Sequence, residues 1–148
     1  MSQHQRQLVV IADGEHVRFV RPGEANALHT DTSFDSLDAH KRSADLGTDR
    51  PGSTAHHGLA PRHDPHGLAE DHFAKFVAGQ LHDAAARNAF EELVIVAPAH
   101  TLNAILAALD GTTKAQIIGT LAKDLVKTPD DALWPHLKDW VRPVHRAK

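Results

Sequence analysis

Two short β-branched runs, Leu8–Ala12 and Val17–Arg21, open the chain, separated by Asp13-Gly14-Glu15-His16. An Asp-Gly pair between such runs supplies the positive-φ geometry of a tight turn and predicts an antiparallel hairpin. Beyond Pro22-Gly23, the residues Leu28, Thr30, Thr32 and Phe34 alternate with polar neighbours over Ala27–Phe34. That period of two predicts a third strand, completing a meander.

The pattern dissolves from Asp45 to Gly67, a stretch with four glycines, three prolines and no apolar periodicity. It reads as a loop, and structureless connections of this length inside a compact domain are uncommon and usually functional or disordered. Helical spacing returns over Leu68–Phe90, where Phe73, Phe76/Val77, Leu81 and Ala84/Ala85 form one stripe, with Glu70 and Asp71 near the positive helix start. The run Glu92-Leu-Val-Ile-Val-Ala-Pro98 is continuously apolar and closed by proline, as in a central strand covered on both faces.

Thr101 is placed to cap a further helix, with Leu102, Ile105/Leu106 and Leu109 apolar and Asp110-Gly111 as its stop. Gln116–Ala122 fits either helix or strand and is taken as an edge strand. In Thr128-Pro129-Asp130-Asp131 a cap, a first-turn proline and two acids stand in order. Leu133, Leu137, Trp140 and Val141 make the buried stripe of that last helix, which Pro135 should kink or divide.

The order β-β-β, loop, α, β, α, β, α predicts an α/β fold with a mixed five-stranded sheet between helices, of ribonuclease H-like three-layer architecture. With 148 residues, 41% hydrophobic and 24% charged, residues 1–148 read as one domain with a loop at 45–67. The tail 142–148 reads as flexible and solvated, or, with Lys138, Arg142, His145, Arg146 and Lys148, as a local basic footprint. No cysteine is present, which excludes disulfides, thiol nucleophiles and thiolate zinc sites. The apolar stretch Leu8–Ala12 is too short for a signal segment or a membrane span, so a cytoplasmic protein without membrane contact is expected. A formal charge of −3 does not announce nucleic acid, although thirteen histidines add positive charge as pH falls through about 6.5.

The segments VVIADGEHVRFVR at 9–21, DLGTDRPGS at 45–53, LVIVAPAHTLNAIL at 93–106 and LAKDLVKTP at 121–129, in this order, resemble the bacterial family of host attachment proteins. That family is in turn similar to the central domain of archaeal and eukaryotic peptide-chain release factors. The resemblance implies a contact with the ribosome or structured RNA, made by the loop that precedes the first long helix. Release factors carry Gly-Gly-Gln there for peptidyl-tRNA hydrolysis. The 45–67 loop holds no glutamine, so binding is expected in place of that hydrolysis.

Three groups of residues carry candidate chemistry. In Asp49-Arg50-Pro51-Gly52, the element onto which the family likeness maps, proline and glycine suit the two central positions of a turn. Arg50 would then either project toward a phosphate or carboxylate or pair locally with Asp49. Arg62 adds a second cation. His56, His57, His63 and His66, with Asp64 and His72, are ligand types for a divalent metal, but none of the recognised zinc spacings occurs. The same rings, protonated, would favour RNA phosphate, and a solvated loop is the third reading. Asp13, at the end of the first strand, stands where ribonuclease H-like nucleases keep a metal-binding carboxylate, but it also serves the hairpin turn. The Lys123-Asp124 pair is family-like and equally an ordinary surface ion pair. His100 would share the sheet end with Asp13.

Three functions follow: a non-catalytic cytosolic module that binds the ribosome or structured RNA through the loop, a metal-dependent hydrolase or nuclease using Asp13, and a factor acting indirectly in attachment to host cells.

Overall fold

The computed structural model describes residues 6–23, 27–46 and 65–141. Strands β1 (Gln7–Ala12), β2 (His16–Pro22) and β3 (Leu28–Asp35) form the meander. Helices α1 (Ser36–Leu46) and α2 (Pro65–Ala86) follow, then β4 (Glu92–Val96), α3 (Ala99–Ala108), the single turn α4 (Gly111–Lys114) and β5 (Ile117–Leu121). A 3₁₀ turn over Asp130–Ala132 and the short α5 (Trp134–Leu137) close the described fold.

The five strands lie in the order β3-β2-β1-β4-β5. β1 pairs antiparallel with β2 through Val10↔Phe19 and parallel with β4 through Val9↔Val94, and β5 continues the parallel half as an edge strand. The mixed sheet expected from the sequence is therefore present.

Every residue of β1 is buried because alternate side chains enter two different cores. Leu8, Val10 and Ala12 join Phe73, Val77 and Leu81 of α2 and Leu102 and Ile105 of α3. Val9 and Ile11 face the other way, against Leu125, Leu133, Leu137 and Val141. Two covered faces explain why β1 and β4 read as unbroken apolar runs.

Several boundaries differ from the sequence reading. Residues 36–46, unassigned from the pattern, are helical, so Asp45 and Leu46 leave the loop. The cause is a reciprocal cap: Asp35 N–H donates to Asp38 Oδ2 and Asp38 N–H to Asp35 Oδ1, both at 2.9 Å. Pro65, His66 and Gly67 likewise belong to α2, which places Glu70 and Asp71 in its second turn. That helix stops at Ala86, short of Phe90, because Asn88 adopts a left-handed φ of 59°. Ala89 N–H then returns to Ala84 O and Asn88 N–H to Ala85 O, closing the helix end.

Thr101 does not cap α3; it is buried inside the helix, and Pro98 stands at the cap position. Thr128 does not cap the last helix either, since Pro129 precedes the 3₁₀ turn without a side-chain cap. Pro135 does divide that segment, into the 3₁₀ turn and α5.

What fastens this irregular segment to the sheet is Arg18. Its Nη1 donates to the carbonyls of Leu125, Val126 and Thr128 at 3.1, 3.0 and 2.6 Å, and its Nη2 reaches Asp130 Oδ1 at 2.5 Å. Asp130 also accepts from Thr30, through Oγ1 at 2.6 Å and N–H at 2.9 Å. Burial pushes the Asp130 carboxyl upward, but the hydrogen bonds from Thr30 and Arg18 outweigh it and hold the group below the usual carboxylate range.

Candidate functional site

Because β1, β4 and β5 run parallel, their carboxyl ends share one edge of the sheet. Ligands of open α/β sheets bind outside such an edge, where the connections part to either side. Three connections leave here: the Asp13–Glu15 turn after β1, the Ala97-Pro98 entry to α3 after β4, and the Ala122–Asp124 stretch after β5. The amino-terminal half of α2 lies over the same edge, since a carbon added at Gly14 would stand 2.7 Å from Glu70 Cγ.

Asp13 performs the turn. Its Oδ1 accepts the N–H groups of Glu15 at 2.8 Å and His16 at 2.7 Å, and its own N–H bonds His16 O at 2.9 Å. An Asx turn of this kind needs no left-handed residue, and no described glycine has positive φ. The expectation of a positive-φ glycine is thereby corrected. Gly14 has a different role: the Glu70 side chain lies in the space that a Cβ would fill, and a larger residue would have to displace it. His16 Nδ1 approaches the same Asp13 oxygen at 3.3 Å.

His100, in the first turn of α3, does face this edge. Its Nε2 lies 3.8 Å from both Glu70 Oε1 and Asp71 Oδ1, while its ring is largely exposed. An imidazole between two carboxylates can shuttle a proton or bridge a cationic group of a ligand. Among the described residues no group of three or more His, Asp or Glu side chains is positioned to hold a metal ion.

Lys123 and Asp124 follow β5 at the same edge but do not pair with each other. Lys123 Nζ lies 3.5 Å from His136 Nδ1, and the Asp124 carboxylate accepts Val126 N–H at 3.3 Å. Asp49, Arg50, Pro51, Gly52, His56, His57, Arg62, His63 and Asp64 lie outside the described residues. His66 falls in the first turn of α2.

Sequence reasoning did not bring Glu70 and Asp71 to this edge, having used them only as acids near a helix start. The available signal was their spacing from the helix entry: the apolar stripe beginning at Phe73 faces the sheet, which leaves the preceding acids over the strand ends.

The segments that carry the site, from the first strand to the last helix, also carry a family signature. The sequence model of the family described as protein required for attachment to host cells matches residues 8–137. The chain belongs to this family. Among curated proteins no match is found. The family match begins at the second residue of β1 and ends with α5, so it includes the first core, the second core apart from Val141, and all three connections at the carboxyl edge. None of the described helices is long and apolar enough to cross a membrane.

Proposed function

We propose that this host attachment family member is a cytoplasmic binding module that engages the ribosome or structured RNA through residues 47–64, without Gly-Gly-Gln hydrolysis of peptidyl-tRNA. The observation that carries this reading is the way α2 is seated. Glu70, in the second turn of α2, lies against Gly14, so the early turns of the helix that follows that segment sit beside the carboxyl edge. By sequence, that segment carries Arg50, Arg62 and three histidines. Guanidinium groups bind phosphate bidentately, and protonated imidazoles add to the attraction. The likeness to release factors, whose corresponding loop enters the ribosome, supports the same reading. Attachment to host cells, named in the family's description, then arises downstream, through proteins whose synthesis this module influences.

Cosedimentation of the full chain with ribosomes tests the proposal. Wild type is expected to pellet with ribosomes at low salt and to be released as salt rises, because counterions are regained. A variant with Arg50→Ala and Arg62→Ala should stay in the supernatant. Equal pelleting of both proteins, or no pelleting of either, would sink the idea, and recovery of the protein outside the cytoplasm would favour direct participation in attachment.

A further inference from the structure

At the opposite end of the sheet from the carboxyl edge, on the face that α2 covers, lies a cleft of about 260 Å³. Phe19 and Phe34 supply apolar walls above the buried Leu81, while Arg21, Asp31 and Arg87 supply charge. The two rings meet edge to face, with centroids 6.0 Å apart and planes at 70°. A volume just below the range of drug-sized pockets suits a small ligand.

Charge decides its class. Arg21 is partly buried, and among the described residues its one side-chain hydrogen bond is from Nη1 to Gln7 O at 3.3 Å. Burial holds its pKa below the ordinary arginine value, Arg6 and Arg87 act in the same direction, and Asp31 opposes them. A guanidinium nevertheless stays protonated, so the cleft keeps two cations near each other. Arg6 is occupied by Glu91, at 3.8 Å. Among the described residues that line the cleft, Asp31 is the one acid facing Arg21 and Arg87, which leaves one positive charge in excess there. A monoanion balances it. A dianion such as phosphate would leave negative charge beside Asp31.

We propose that this cleft is a binding site for a small organic carboxylate with a flat apolar body, its carboxylate held between Arg21 and Arg87 and its body against Phe19 and Phe34. Arginine forks match carboxylate geometry, and aromatic edges pack against a flat ring. The site stands at the other end of the sheet from the proposed RNA contact and does not depend on it.

Amide chemical shifts of the isotope-labelled full chain, titrated with phenylacetate, test the assignment. Saturable shifts are expected at Arg21, Leu81 and Arg87. Acetate, which has the charge without the body, and 2-phenylethanol, which has a like body without the charge, should each bind at least tenfold more weakly. Inorganic phosphate should also bind at least tenfold more weakly. Arg87 is exposed, so Arg87→Gln should fold normally and lose at least tenfold in affinity, and Arg87→Lys, which keeps the charge without the fork, should fall between wild type and Arg87→Gln. Absence of saturable shifts overturns the proposal, as does equal binding of acetate, phenylethanol or phosphate, or unchanged affinity in Arg87→Gln.

Discussion

Arg18 and Asp130 meet at 2.5 Å although they stand 112 positions apart in the sequence, and this contact ties the start of the C-terminal segment to the second and third strands. Removing the carboxylate leaves Thr30 N–H and part of the guanidinium without their acceptor. Asp130→Ala is expected to cost about 1–3 kcal/mol, as for hydrogen bonds involving charged groups. The Asp130 side chain is 39% exposed, so solvent screening places the loss toward the lower end. Urea denaturation monitored by tryptophan fluorescence measures it, and an unchanged midpoint would refute the role given to the pair.

The same carboxylate makes a pH prediction. Its pKa is lowered in the folded protein, so its contribution is fully present above the unfolded value of about 3.9 and is lost as pH falls through the lower folded value. Asp35 and Asp110 are lowered too, by hydrogen bonds from Asp38 and Thr113. They add acid sensitivity equally to wild type and variant. The stability gap between wild type and Asp130→Asn should therefore hold steady from neutral pH to about 5 and close below about 3.9. A gap that persists to the lowest accessible pH contradicts this.

Trp140 lies against Gly119 of β5, its Cδ1 and Nε1 in the space that a Cβ would fill. Gly119→Ala must displace the indole and should cost about 1–3 kcal/mol by overpacking. Combined with Trp140→Ala, the glycine substitution should lose most of its effect, because the clash is gone. Thermal denaturation of the two single variants and the double variant provides the cycle; strict additivity would mean that the two positions do not act on each other.

Asp13 offers a way to separate a turn from a catalytic carboxylate. An asparagine in its place keeps an oxygen for the Glu15 and His16 N–H groups, whereas alanine offers none. Asp13→Asn should therefore stay within about 0.5 kcal/mol of wild type, and Asp13→Ala should lose about 1 kcal/mol, as read from chemical denaturation. Equal losses would show that the negative charge itself matters at this position.

The sheet was legible because its strands announce their environment. Unbroken apolar runs mark β1 and β4 as covered on both faces, but the alternation that put Leu28, Thr30, Thr32 and Phe34 on one face of β3 missed a bulge at Asp31, which sends Leu28 to one core and Phe34 to the other. Helix ends were less legible. Asp35 and Asp38 cap α1 with an acid in place of the usual Glu or Gln at the third position, and Asn88 ends α2 before its apolar pattern runs out. The Arg18 cluster was not legible at all. Asp130 has the local marks of a first-turn helix acid, and only the fold brings a β2 arginine and a β3 threonine to it. Glu70 over Gly14 is of the same kind, a contact between a helix and a hairpin turn with no local trace in either.

The ladder between β1 and β4 joins residues 85 positions apart, and that separation has a cost in time. At typical rates of synthesis, roughly 4–17 s pass between the emergence of Gln7 and that of Glu92. Throughout this interval Val9, Val10 and Ile11 have hydrogen-bonding partners on the β2 side only, and the other edge of the most apolar strand is bare. Pairing at such distance also slows folding, since loop closure must precede any gain from the contact. The nascent meander is thus a substrate for chaperones and for aggregation, and a chain truncated before Glu92 should collect in the insoluble fraction.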